Sequence, residues 1–436
     1  MKTVTVGNSF SSISGYNVTE EKELRKLLCY TPPPSVGFFS GGYAKPRYLI
    51  SKTGEFPTGL LRMVLTWCDG DCTIVDKRTR PKIQLGIHVL KLPYAPYPEQ
   101  VQAVDACVNV SRGIVSAVTG FGKSLLMALL INRMQLRTLI IVPNLELKRQ
   151  LTESFKEYFG DLTNITIENI DSNSLSKHTN YDMLLIDEAH HVAAKTYRDL
   201  NKKAWKNIYH RYFFTATPFR SRDEEQILFE SIAGDVIYTV SYQDAASKGH
   251  IVRIEPYYIT VPRTLPKGNI KMWASMYSEL VVHNQVRNEI IADLAKNLKD
   301  AGKSTLILVK EIAHGENLSK LANLQFANGK SEDTVDIIKF FNQGKLPVIV
   351  GTNGVVGEGV DTKPCEYVII AGLGKSKNAF MQQVGRGLRK YPGKDSCKII
   401  LLKDLSHKWT AAHFREQVKI LREEYGVESI EIKLSS

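Results

Sequence analysis

A chain of 436 residues has room for two or three domains, and its 43% apolar and 23% charged content is that of an ordinary globular protein. Six scattered cysteines form no disulfide framework, the opening MKTVTVGNSF lacks the apolar core of a signal peptide, and no apolar run approaches the ~18–20 residues needed to span a bilayer. The expectation is a cytoplasmic protein without a membrane contact, and the formal charge of +12 suits a polyanionic partner, because lysines and arginines that neutralise phosphates release counterions.

Residues 1–92 alternate short apolar runs (48–51, 60–68 and 83–92) with turn material such as TPPPS, GG and DGD, which reads as a small, strand-rich α+β module. This first fifth holds 13 Lys and Arg against 7 Asp and Glu, half of the whole excess. Aromatic and basic residues interleave there (Tyr43, Lys45, Arg47, Tyr48, Arg62, Trp67), a pattern that suits stacking plus phosphate contact and equally a half-buried sheet face. Cys68 and Cys72 make half a zinc site with no second Cys or His pair nearby.

The segment LPYAPYPEQ, with three prolines in nine residues, marks a boundary. Beyond it come the β-branched apolar runs 113–118, 138–142, 181–187 and 211–217, each followed by a helix-like stretch. Such continuous runs are the mark of buried parallel strands in βαβ units. A second series follows at 304–309, 346–352, 366–372 and 397–402, with 241–256 as the expected linker. The expected domains are therefore 1–92, 93–245 and 246–436.

The strongest local signal is Ala117-Val-Thr-Gly-Phe-Gly-Lys-Ser124, directly after an apolar strand. A loop of small residues between strand and helix turns backbone N–H groups inward, and the helix N-terminus adds positive potential. Thr119, Gly120 and Gly122 line such a loop, Lys123 reaches the β- and γ-phosphates, and the Ser124 hydroxyl is placed to ligate Mg²⁺. Ala117 stands where the usual pattern has its first glycine. Some sixty residues later a buried run ends in Asp187-Glu188-Ala189-His190. Ligands of open parallel sheets bind beyond the carboxyl ends of the strands, so the acids fall beside the phosphate loop. Asp187 would hold Mg²⁺ and Glu188 would orient or deprotonate the attacking water.

With these motifs in place the chain resembles the superfamily 2 helicases, and further motifs match in order over residues 97–389. The resemblance implies two tandem RecA-like parallel-sheet domains, with the small α+β module as an N-terminal accessory domain, and ATP with Mg²⁺ as cofactors. It assigns Gln100 to the adenine, although the family's usual arginine ahead of it is missing. Pro143, after Leu139-Ile-Ile-Val, and Thr352, in Val350-Gly-Thr, would face the nucleic-acid backbone. Gly359 and Asp361 would lie at the nucleotide. His190, Thr215 and Thr217 would couple hydrolysis to strand movement. In Gln382-Gln-Val-Gly-Arg386-Gly-Leu-Arg389, Gln382, Arg386 and Arg389 would be catalytic. The two arginines, three apart and so on one helix face, would supply positive charge from the second domain to the transition state on the first.

Within the superfamily, the DEAH spelling, compact size and basic N-terminal module resemble the bacteriophage UvsW-like helicases, with RecG and XPB as more distant relatives. That resemblance implies remodelling of branched DNA (forks, D-loops, Holliday junctions) in replication, recombination or repair, and a bacterial host cytoplasm for a phage protein. An RNA helicase would share every ATPase motif, and the motor subunit of a restriction complex is the other alternative.

Overall fold

The computed structural model describes residues 1–32, 45–82, 88–92, 94–218, 223–266, 268, 270–356, 362 and 364–433. The chain divides into two compact units, one of residues 1–117 with 122–240, the other of 241–436 with Val118–Phe121.

The first unit opens with six short strands: β1 (Lys2–Val6), β2 (Phe10–Ser14), β3 (Cys29–Tyr30), β4 (Arg47–Tyr48), β5 (Glu55–Pro57) and β6 (Cys72–Asp76). Four of them form a mixed sheet in the order β5-β2-β1-β6, antiparallel except for the β1–β6 pair. The helix Val18–Leu27 starts where Asn17 Oδ1 accepts from the N–H groups of Thr19 and Glu20 while Glu20 Oε2 accepts from Asn17 N–H, a reciprocal cap that fixes its first turn. The run 60–68, expected among strands, is instead a 3₁₀ turn leading into the helix Leu61–Cys68. Its buried residues Leu60, Val64 and Cys68 recur every four positions, a helical stripe that closes over Val4, Val6, Ile13 and Phe56.

This small sheet is seated on the larger one of the same unit. Ser9 Oγ donates to the Asn201 carbonyl at 2.7 Å and accepts from Arg211 at 2.9 Å. A methyl group added at Gly59 would stand 2.1 Å from the Glu230 carbonyl oxygen, so only glycine allows that approach. The larger sheet comprises β7 (Arg112–Ala117), β8 (Thr138–Val142), β9 (Ile165–Asn169), β10 (Met183–Ile186), β11 (His210–Thr215) and β12 (Val236–Val240). All are parallel, in the order β12-β7-β11-β10-β8-β9. The central strands β8, β10 and β11 are buried at every residue, as continuous apolar runs covered on both faces require.

The second unit is a seven-stranded parallel sheet built from β13 (Arg253–Val261), β14 (Thr305–Val309), β15 (Gln325–Ala327), β16 (Val348–Thr352), β17 (Tyr367–Ile370), β18 (Ser396–Asp404) and β19 (Ile430–Glu431), ordered β15-β16-β14-β17-β18-β13-β19. The expected linker is no linker in form: it holds the helix Tyr242–Ser247 and runs into the nine-residue β13. Pro256 within β13 had argued against a strand. It is tolerated because β19 pairs only with Tyr257 and Tyr258, which leaves Pro256 without a ladder partner on that side. At the heart of this unit Arg287 and Asp404, both wholly buried, form an ion pair at 3.4 Å, and Arg287 also donates to the Ala371 carbonyl at 2.9 Å.

Candidate nucleotide and coupling site

Because the strands of the first large sheet are all parallel, the segments that follow β7, β8, β10 and β11 leave from one edge. The segment after β7 is the glycine loop. Gly120 and Gly122 have φ of 88° and 91°, the left-handed region where side chains are strained, and the helix Lys123–Met134 begins at once. Gly122 is doubly constrained, since a Cβ there would lie 3.0 Å from Gln100 Nε2. Gln100 is buried, and its Oε1 accepts from Tyr97 N–H at 2.9 Å, so the amide is held against the loop by its own helix cap.

After β10, Asp187 continues the ladder by donating its N–H to the Ile141 carbonyl at 2.9 Å, and its carboxylate accepts from Glu188 N–H at 2.9 Å. Glu188 sits at φ 46°, which turns its side chain back over the glycine loop. There Lys123 Nζ lies 3.3 Å from Glu188 Oε1, and His190 Nδ1 lies 3.2 Å from Glu188 Oε2. The two adjacent acids titrate in opposite directions. Burial, aided by the charge of Glu188, pushes Asp187 up to about 6. Burial would raise Glu188 too, but Lys123 and His190 overcome it and hold that carboxyl well below the usual range. Asp187 is thus a buried oxygen donor short of positive charge, beside the half-buried Ser124; that donor set fits a hard divalent cation such as Mg²⁺.

β11 lies between β7 and β10, so the turn after it emerges between the glycine loop and the acids. Thr215 is wholly buried there, and its Oγ1 accepts from Thr217 N–H at 3.1 Å, a local bond that fixes the turn. Pro143 follows β8, half-buried, and Asn144 beside it caps the helix Leu145–Phe159 by accepting from Leu147 N–H at 2.9 Å. The structure therefore gathers Gln100, Gly122, Lys123, Asp187, Glu188, His190, Thr215 and Thr217 on one edge of one sheet.

In the second unit Thr352 ends β16 and is buried. Gly359 and Asp361 lie outside the described residues, as do Phe219 and Arg220. The helix carrying Gln382 spans Lys377–Gly385, and the residue that ties it to the end of β16 is the neighbouring Gln383, whose Nε2 donates to Asn353 Oδ1 at 2.9 Å. Arg386 and Arg389 do not share a helix face. The helix stops at Gly385, Arg386 is its capping residue, and Arg389 stands in the bend that follows. The turn is pressed onto β18, where a Cβ at Gly387 would meet Cys397 Sγ at 2.3 Å. Its carbonyls are all taken: Lys394 Nζ donates to those of Gly387 at 2.8 Å and Arg389 at 3.0 Å, and Val252 N–H to that of Leu388 at 3.0 Å. Sequence reasoning missed Gln383, Asn353 and Lys394, because a lone polar residue announces no partner.

Comparison with known proteins agrees with this architecture. The family model described as "Type III restriction enzyme, res subunit" matches residues 93–180 and 165–220, and that of the "Helicase conserved C-terminal domain" matches 286–391. The chain is similar to the ATP-dependent DNA helicase uvsW of Enterobacteria phage T4, 23% identical over 396 residues that cover 78% of this chain and 77% of that one. It is also similar to the Saccharomyces cerevisiae ATP-dependent helicase candidate IRC3, 27% identical over 358 residues covering 69% of this chain and 50% of the other, so the chain spans about half that relative's length. Among solved structures, a fragment assigned to the HsdR subunit of a Vibrio vulnificus type I restriction enzyme has the same fold, with a TM-score of 0.60, 18% identity, and coverage of 89% of this chain and 76% of that one. With two helicase models matched in order, one on each large parallel sheet, the chain belongs to superfamily 2 of the ATP-dependent helicases.

Proposed function

We propose that the protein is an ATP-driven DNA translocase that remodels or unwinds branched DNA, in replication, recombination or repair. The observation that carries the nucleotide half is the ion-paired cluster of Lys123, Glu188 and His190 with Asp187 on the edge beyond the parallel strands. In this reading Lys123 and the N–H groups of residues 119–124 bind the phosphates, Gln100 contacts the adenine, and Ser124 and Asp187 hold Mg²⁺, which neutralises charge on the phosphates when bound. Glu188, kept ionised by its two basic neighbours, accepts the proton of the attacking water. Arg386 and Arg389 bring positive charge to the transferring phosphoryl group from the second unit, as arginine fingers do. His190, Thr215 and Thr217 couple the state of that edge to strand movement, while Pro143 and Thr352 face the nucleic-acid backbone.

The choice of DNA is supported by the similarity to a phage protein named as a DNA helicase, and by the excess of basic residues in the first 92. A bacterial host cytoplasm is the compartment such a protein would occupy, and no helix among the described residues is long and apolar enough to cross a membrane. The restriction-motor reading draws on the description of the first family model and on the HsdR-like fold. Unwinding assays on linear duplexes, forks, Holliday junctions and RNA duplexes separate these readings: activity on forks and junctions is expected, and activity on RNA alone would overturn the proposal. Lys123→Ala should abolish ATP turnover and spare DNA binding, measured by steady-state hydrolysis and by fluorescence anisotropy.

A further inference from the structure

The edge of the first large sheet opposite the glycine loop carries a cavity of about 460 Å³. It opens between the N-terminal sheet and the starts of β7 and β11, and its lining includes Arg62, Arg78, Arg80, Arg112, Tyr209 and Asp235. Four arginines thus face a single lining carboxylate, and His210 beside them is held neutral, pushed down to about 4 by burial and by the charges of Arg80 and Arg78.

The arginines divide into two kinds. Arg112 and Arg78 are built in. The Arg112 guanidinium donates to the backbone carbonyls of Ile232 and Asn8, with no carboxylate among these partners, and burial pushes it down to about 9. Arg78 is clamped by Asp76 at 2.7 and 2.9 Å, donates to Ser111 Oγ at 2.7 Å, and lies 5.1 Å from the centre of the Tyr209 ring. Arg62 and Arg80 are exposed at the mouth; Arg62 is 76% exposed and only loosely paired with Asp235 at 3.8 Å, and Arg80 makes no ion pair among the described residues. A fixed positive floor with two mobile guanidinium forks at its rim is the chemistry that takes a phosphodiester, since the planar fork matches two phosphate oxygens.

We propose that this cavity is a second nucleic-acid contact, which holds a backbone phosphate of DNA on the side of the sheet away from the nucleotide. The six residues of β7 separate the two edges by roughly 20 Å at ~3.3 Å per residue, so the phosphate bound here belongs to a different stretch of the substrate from that gripped by the motor. A branched substrate supplies such a stretch. The inference rests on the DNA-translocase reading for its ligand, and its own evidence is the cavity.

The test uses the full chain with Arg62→Gln and Arg80→Gln together, both surface changes away from the proposed nucleotide machinery. Anisotropy without ATP should show affinity for a forked DNA falling about 10-fold, and the slope of log affinity against log salt falling by about 2, one for each lost phosphate contact. Affinity for a short single strand should stay within about twofold, as should single-strand-stimulated hydrolysis, and Arg→Lys at both positions should restore most of the fork affinity. Unchanged fork affinity and slope would overturn the proposal, and an equal loss on the short strand would place the contact on the motor track and overturn it too. If inorganic phosphate raises the melting temperature of the parent but not of the double variant while fork binding is equal, the cavity takes a small anion, and the DNA assignment falls. Failure of the parent to hydrolyse ATP in response to any DNA would count against the motor reading alone, because the cavity is judged by binding without ATP.

Discussion

The two large sheets present their functional side chains in different ways. On the first, the charged groups satisfy one another: Lys123 and His190 flank Glu188, and Asp187 beside it is held partly uncharged near neutrality by burial. On the second, Arg386 and Arg389 stand on a turn whose rigidity comes from backbone carbonyls bonded to Lys394 and Val252. One edge is ordered by its own reactive charges, the other by a scaffold that leaves its guanidinium groups for another task. A catalytic edge that contains its own counter-charges is poised to bind nucleotide, and an edge that exports charge is poised to act on what the first has bound.

This contrast can be broken most decisively at Arg386. Arg386→Ala should lower turnover by roughly 10³-fold or more while nucleotide affinity changes little, in line with arginine fingers elsewhere. Single-turnover hydrolysis and equilibrium binding of a fluorescent nucleotide read the two quantities; a large loss of affinity with turnover preserved would erase the distinction between the edges. A smaller effect is expected from Lys394→Met, which strips the donors from the Gly387 and Arg389 carbonyls. Turnover should fall about 10-fold with unchanged KM, because the turn loses its hold and a misplaced group costs rate more than binding. The parent rate with this variant would show that the turn is held by other means.

The smallest effect separates the units by acid. His314 in the second unit is wholly buried against Asn288, and burial pushes it down to about 3. Its folded value lies below the ordinary 6.5, so the unfolded chain takes up the proton first as pH falls. The contribution to stability is complete above about 6.5 and is lost progressively as pH drops toward 3. That loss is at most about 1.4 kcal/mol per pH unit from one histidine. His314→Gln should therefore flatten the pH dependence of unfolding below 6.5, followed by urea titrations at several pH values. His210 in the first unit, pushed down to about 4, should still leave that unit with its own acid slope.

How much of this could be read from the residues follows from how local each signal is. The two parallel sheets were legible because their strands are continuous β-branched runs, and the glycine loop because residues 117–124 carry both the backbone freedom and the lysine. The acidic pair was legible because it ends such a run. What escaped depended on distant partners. The segment 60–68 is apolar enough for strand or helix, and only its packing every fourth residue on Val4 and Phe56 decides for the helix. Pro256 hid β13 because its tolerance depends on how short β19 is, some 170 residues away. The helix after Ser376 was expected to continue through Arg389, and it stops early because the glycines at 385 and 387 let the chain turn down onto Cys397. Gln383 and Lys394 matter through single hydrogen bonds that no motif records.

Arg211 has a mechanical consequence. It lies on the same strand as Thr215, four residues before it, and its guanidinium reaches Ser9 as well as the carbonyls of Ile208 and Trp205. A pull applied to the N-terminal sheet would enter the large sheet at the root of β11 and travel along a rigid strand to its tip, without slack from a tether. The N-terminal sheet is thereby geared to the strand whose far end carries the coupling threonines, and load on one should be felt as torque on the other.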